Sequence, residues 1–350
     1  MKHLYIFILV FILSAPAVAQ DIHYSQFFNA PLLLNPALTG FTPGQYRVAV
    51  NYRNQWFSAT NLGFGKSPFM TTAIGGDVPI HIKNDVLGVG LFIMDDQAGA
   101  NTFSTVMTCA SVSYIKTLGK NQRQRLAGGF EAGYTAETVN PQNFQWASQF
   151  TDNVFMNSLP TNESLLHTHI GYLNMNAGLF WFGHFNDYFG MYAGGSFFNV
   201  TTPKFDVLAG ENRDLYWRWN MHTGLDLSLS RKNKEGTKYH ILPSMMYMNQ
   251  GPDNQFNLGL GFGADFTESM MLTVGLYSRF NTLNVGVNPD AIIPYLAFDL
   301  KGFKLGMSYD ATISTLKSSG SMVGALEFSV TYQPRGKHYD PKHALVSPRF

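Results

Sequence analysis

The sequence predicts an all-β chain, an antiparallel transmembrane β-barrel of the outer membrane with about 14 strands. Three observations lead there. The chain is poor in charge, with 24 Lys+Arg and 23 Asp+Glu in 350 residues, or 13%, where soluble domains carry roughly 25%. Its apolar residues recur with period two rather than in long runs. Its connections alternate between long and short. Mean hydropathy is only −0.06, which excludes a polytopic helical membrane protein. Aromatic residues make up 15%, too many for a disordered chain. A net charge of +1 argues against electrostatic nucleic-acid binding, which needs a clustered basic excess.

The N-terminus reads as an export signal. Lys2 and His3 precede the apolar run Leu4 to Leu13, and Ala17-Val18-Ala19 supplies a small-residue cleavage site before Gln20. Residues 1–19 are therefore expected to be a signal peptide, with an apolar run too short to span a bilayer as a helix. No cysteine follows the junction, so a lipid anchor is not expected. Cys109 is the only cysteine. An internal disulfide is impossible, and a lone Cys in an apolar strand points to packing rather than chemistry.

The strands follow in order from strict alternation. Tyr46, Val48, Val50 and Tyr52 face away from Arg47, Ala49, Asn51 and Arg53. Met221 to Leu229, Phe256 to Phe262 and Phe303 to Tyr309 repeat the pattern, each with one apolar face and one small or polar face. Strands are expected near 46–56, 69–78, 87–94, 102–115, 125–140, 172–182, 189–198, 217–230, 239–248, 256–265, 271–280, 292–300, 303–313 and 325–332. No helical pattern separates them, so hairpins join neighbours. The longer connections would be 57–68, 141–171, 199–216, 281–291 and 314–324, with 95–101 and 249–255 on the same side. That asymmetry is the one outer-membrane barrels show, with long loops outside and short turns in the periplasm. With an even strand number, both termini are expected in the periplasm.

Closure has a physical cause, since an open edge in hydrocarbon leaves backbone groups unpaired at several kcal/mol each. Tyr46, Trp56, Trp181, Phe182, Trp217, Trp219 and Tyr332 near strand ends suit interfacial girdles. A secreted β-sandwich also shows period two, but it does not explain the alternating connections.

No catalytic constellation is evident. G-x-S-x-G, H-E-x-x-H and C-x-x-C are missing. Gly65-Lys66-Ser67 lacks the first glycine of a phosphate loop, because Thr60 stands there. Gly259-x-Gly261-x-Gly263 reads as a small lumen face. His167, His169 and Glu163 could ligate a metal but read better as a solvated loop. Asp95-Asp96 reads as a surface turn. Arg47, Arg53, Asp226, Arg279 and Asp310 are candidates to line the interior. A Ser-His-Asp hydrolase is not favoured by any spacing. Neither catalytic residues nor a cofactor or metal is expected.

Residues 20–45 break the alternation. Pro31 and Pro36 with flanking asparagines interrupt any regular element, so this irregular stretch is expected either to plug the lumen or to dock a periplasmic partner. The barrel is expected over 46–332, followed by a periplasmic tail over 333–350.

The chain resembles the PorP/SprF family, outer-membrane proteins of the type IX secretion system of Bacteroidetes. The resemblance rests on Ser25-Gln26-Phe27, Asn35-Pro36-Ala37 with Gly40, and Arg53-Asn54-Gln55-Trp56. It continues through Gly306-Met307-Ser308-Tyr309-Asp310, Ser314, Glu327 and the final Pro348-Arg349-Phe350. Leu38-Thr39-Gly40 departs from the more frequent Tyr-Ala-Gly of the family. The resemblance implies that Gln26, Asn35, Pro36, Ala37, Gly40, Arg53, Trp56, Tyr309 and Asp310 are signature positions for structure or partner contact, not a catalytic set. It implies a non-enzymatic role: binding a secreted cargo protein with a type IX C-terminal sorting domain, such as a gliding adhesin, and helping to export or anchor it. Implied partners also include the secretion machinery with its periplasmic components, and outer-membrane lipid. A porin-like channel for small solutes is the alternative that the fold alone allows.

Overall fold

The computed structural model describes residues 23–56, 69–99, 102–140, 147–151, 154–156, 158–160, 168–205, 213–229, 236–267, 269–283, 286–314 and 324–334. The expected signal peptide, the Gly65-Lys66-Ser67 motif, Glu163, His167 and the tail beyond Pro334 lie outside them.

Alternating faces become strands, and the strands close on themselves. The barrel strands are β1 (Arg47–Gln55), β2 (Phe69–Ile82), β3 (Asp85–Ala98), β4 (Phe103–Leu118), β5 (Gln124–Val139), β6 (His169–His184) and β7 (Phe189–Phe198). They continue with β8 (Arg218–Ser228), β9 (Lys238–Gln250), β10 (Asp253–Thr267), β11 (Met270–Leu283), β12 (Gly286–Leu300), β13 (Phe303–Thr312) and β14 (Gly324–Tyr332). Each pairs antiparallel with its neighbours, and β14 returns to β1 through the register Val48↔Tyr332 to Gln55↔Ala325. The result is a closed barrel of 14 strands. Two small ribbons, Phe150–Thr151 with Val154–Phe155 and Lys204–Phe205 with Arg213–Asp214, sit in long connections.

The rim where β1 begins is called here the near rim, and the other the far rim. Two far-rim connections differ from expectation. In place of loops at 249–255 and 281–291, the strands run on until Gln250 pairs with Asp253 and Leu283 with Gly286. Polar residues such as Asn249 and Asn254 extend the ladder because their side chains bond each other, at 2.9 Å. The long far-rim connections are therefore those after β1, β5, β7 and β13. Asp95-Asp96 likewise lies inside β3 rather than in a turn, where Asp96 accepts from Thr71 Oγ at 2.5 Å.

The apolar face points outward, as lipid requires. Leu260, Leu276 and Leu179 are 54%, 58% and 65% exposed, while their strand neighbours at the next position face the interior. Outward aromatics gather at both ends. Tyr46, Tyr332 and Phe303 cluster at the near rim, with Phe303 stacked on Tyr332 at 4.1 Å. Trp219, Tyr247 and Phe256 cluster toward the far rim. Phe182 was expected in such a girdle but faces the lumen, buried against Phe41. Its strand alternates from Asn174 and Asn176 through Phe180, which puts even positions inside. Among the described residues no helix is long and apolar enough to cross a membrane.

The interior is filled by the chain's own start. Residues 24–45 form three short turns, Phe27–Asn29, Pro31–Leu34 and Pro36–Leu38, packed against inward side chains of the barrel. Pro31 and Pro36 each open a turn, where a missing N–H costs nothing. The residue before Pro36, Asn35, is extended at φ −162° and ψ 121°, as the proline ring demands. Phe27, Phe28, Leu38 and Phe41 join Phe180, Phe182, Tyr277 and Tyr295 in one buried cluster. Tyr24, Ala30 and Leu32 join Ala73, Phe92, Met94 and Cys109 in another. Cys109 is thus a packing residue. Cavities of about 30 and 20 Å³ flank the segment, room for about one water each.

Candidate functional site

The polar groups that an irregular segment brings into a lumen must be paired there. Three groups of wall residues do this, and they make up the candidate site.

The first lies toward the far rim, at the seam that closes the barrel. Arg53 on β1 and Glu327 on β14 are cross-strand partners and form a buried ion pair. Arg53 also contacts Asp310 on β13 at 3.0 Å, and Arg279 on β11 contacts the same carboxylate at 2.8 Å. Into this cluster the segment inserts Ser25 and Gln26. Ser25 Oγ donates to Asp310 at 2.6 Å and accepts from Arg53 at 2.9 Å and Arg279 at 2.8 Å. The backbone N–H groups of Ser25 and Gln26 donate to the two oxygens of Glu327 at 2.8 and 2.9 Å. Gln26 Nε2 donates to Ser308 and to the Glu327 carbonyl. Asn29 then binds Ser329 on β14 and Tyr295 on β12, while Asn51 on β1 donates to its carbonyl. Five strands on both sides of the seam are tied to three residues of the segment.

Asp290 completes this group. Arg279 Nε donates to it at 2.5 Å. The pairing of β11 with β12 passes from Arg279↔Ala291 to Phe280↔Pro289, leaving Asp290 as the extra residue of a bulge. Pro289 offers no N–H to the ladder, and a bulge re-aims the side chain it carries.

The second group holds the middle of the segment. Asn35 Oδ1 caps the turn Pro36–Leu38 by accepting from Ala37 N at 2.9 Å. Its amide donates to the carbonyls of Leu179 at 3.0 Å and Gly195 at 3.2 Å and lies 3.1 Å from His222 Nε2. The approach is close enough to exclude side chains from the wall. A Cβ on Gly178 would stand 1.9 Å from Asn35 Oδ1, and one on Gly129 would stand 2.3 Å from the Pro36 carbonyl carbon.

The third group is at the near rim. Arg47 grips Asp77 through two bonds of 2.8 Å and donates to the Leu38 carbonyl at 2.9 Å. Asp77 also accepts from Gly40 N at 2.6 Å. Gly40 has φ +69°, and a Cβ there would meet the Gly88 backbone at 2.5 Å, so both conformation and space call for glycine.

The signature positions therefore fall into separate places. Gln26, Arg53 and Asp310 meet in the first group, Asn35, Pro36 and Ala37 form the second, and Gly40 belongs to the third. Trp56 does not join them; it follows the last residue of β1 at φ +60° and packs on Phe69. Tyr309 is on the opposite face of β13 from Asp310. All five interior candidates, Arg47, Arg53, Asp226, Arg279 and Asp310, face inward. Asp77, Asn29 and Ser329 were not singled out by sequence reasoning, although period two places the two strand residues on inward faces.

Two chemical alternatives can be compared with this geometry. His169 opens β6, with Nδ1 2.9 Å from Thr138 Oγ. Ser228, His240 and Asp226 do converge, but Ser228 at 3.1 Å and Asp226 at 2.7 Å engage the same Nδ1. A proton held there toward Asp226 leaves no lone pair to activate Ser228, which a hydrolase triad requires.

A family model described as "Type IX secretion system membrane protein PorP/SprF" matches residues 17–332. Among curated proteins, none matches the chain. Solved structures similar to it include the monoaromatic hydrocarbon channel CymD, at 8% identity and TM-score 0.50, covering 89% of this chain and 94% of that one. A TodX monoaromatic hydrocarbon channel lacking S2 and S3 is similar at 9% identity and TM-score 0.50, covering 88% and 94%. At such identities the likeness concerns the outer-membrane barrel fold alone.

Proposed function

The chain belongs to the PorP/SprF family of type IX secretion system membrane proteins, and from that premise we propose that it is a partner-binding barrel of the outer membrane. In this reading it binds a cognate secreted protein bearing a type IX C-terminal sorting domain, such as a gliding adhesin, and helps to export it or anchor it at the surface. The secretion machinery and its periplasmic components are its other partners, and lipid surrounds it. The observation that carries the reading is the family match over the internal segment and the whole barrel. The internal segment supports it, because a lumen filled by residues 24–45 suits a barrel that works through its rims and partners better than one that passes solutes. The decisive experiment is deletion of the gene with measurement of secretion and surface display of each type IX cargo. Loss of one cargo is expected; unchanged display of all of them refutes the proposal.

The alternative is a porin-like or small-solute channel. The polar inward faces favour it, and the filled lumen opposes it. Recording in planar bilayers separates the two, since the partner-binding reading expects the full-length protein to be silent.

A further inference from the structure

We propose that the N-terminal end of the mature chain opens at the far rim and is displayed on the outer face, on the opposite side of the membrane from the C-terminal end of the barrel. An even strand number puts the start of β1 and the end of β14 on one side, but it says nothing of a segment that precedes β1 and runs through the lumen. The contacts set its direction. Ser25 binds Asp310, two residues before the end of β13, and Glu327, three residues after the start of β14. Both positions are toward the far rim. His23 lines a cavity with Arg218, the first residue of β8, and Met248, two residues before the end of β9, again toward the far rim. From there the chain descends. Gly40 meets Asp77, Thr42 meets Gln333 at 3.2 Å, and Gln45 N donates to the Pro334 carbonyl at 2.9 Å. The segment crosses the lumen once, with its N-terminal end leading toward the long connections.

Length then prevents a return. With the cleavage before Gln20 that the N-terminal sequence predicts, three residues would precede His23, a reach of about 10 Å. The wall from Arg53 back to Arg47 is six residues of strand, about 20 Å, and the lumen beside it is taken by the segment itself. Long loops mark the outer side of such barrels, so the far rim is the outer one. The inference rests on the outer-membrane reading and not on the identity of any cargo.

Single cysteines in a Cys109→Ala background test it in the bacterium that makes the protein. His23→Cys reports the N-terminal end, Ser158→Cys a long connection, and Lys120→Cys the short turn between β4 and β5. Each is labelled with a membrane-impermeant maleimide before and after cell lysis, and heat-modifiable migration on gels confirms folding. His23→Cys and Ser158→Cys are expected to label equally in intact and lysed cells. Lys120→Cys should gain at least tenfold on lysis. Labelling of His23→Cys only after lysis, or in neither sample, overturns the proposal. Exchange of the Ser158→Cys and Lys120→Cys patterns reverses the barrel and overturns outer display. Ile22→Cys serves as the probe if His23→Cys does not fold. Loss of cargo secretion is scored separately, so failure of the partner-binding reading leaves this result standing.

Discussion

Replacing Arg53 with methionine should be the most damaging change at the seam. Counting formal charges, the cluster holds two cations, Arg53 and Arg279, against three carboxylates, Asp290, Asp310 and Glu327, an excess of one negative charge. Arg53→Met leaves one cation against three carboxylates in a site whose Arg53, Asp310 and Glu327 are 5%, 1% and 1% exposed. Breaking a buried pair from one side costs about 3–5 kcal/mol. Glu327→Gln instead leaves two cations against two carboxylates and removes an anionic acceptor for the Ser25 and Gln26 N–H groups. That loss amounts to about 1.5–3 kcal/mol, typical of a hydrogen bond to a charged group. Combining the two restores the original excess of one negative charge, so the double variant should cost less than the sum of the singles, with a coupling of about 1–3 kcal/mol. Urea unfolding of the refolded barrel in detergent, followed by tryptophan fluorescence, gives all three values. The reasoning is wrong if Arg53→Met costs no more than Glu327→Gln, or if the double variant is additive.

Gly178→Ala brings a methyl to within 1.9 Å of Asn35 Oδ1; overpacking of about 1–3 kcal/mol should push the middle of the segment off the wall. Protease protection of that segment should fall while the barrel itself stays resistant. Asn35→Ala removes the cap of the Pro36–Leu38 turn and leaves the Leu179 and Gly195 carbonyls without this donor. The expected loss is about 1–3 kcal/mol, read by the same unfolding assay. On the outer wall, Leu260→Arg, in the middle of β10, should cost about 2–4 kcal/mol in lipid vesicles, and Trp217→Arg, just before β8 at the far rim, about 0–1. Equal costs at the two sites would mean that the apolar band does not face lipid.

What the sequence by itself determined is everything that depends on near neighbours along the chain. Alternation in Tyr46–Arg53 or Phe256–Gly263 sets two faces because successive side chains point to opposite sides, and fourteen such stretches without helices leave a closed antiparallel sheet as the form that suits a membrane. The same parity placed Arg53, Arg279 and Asp310 on inward faces, and Pro31 and Pro36 marked a segment that could be no strand. The tertiary structure decided what depends on pairings between distant residues. Arg53 and Glu327 are 274 residues apart and meet only because β1 closes on β14. Asp290 turns inward through a bulge that breaks parity. The direction of the N-terminal segment was not legible either, since a strand count fixes the two ends of a sheet, whereas the path through the lumen follows from where Ser25, Asn35 and Gly40 find partners for groups that cannot be buried alone.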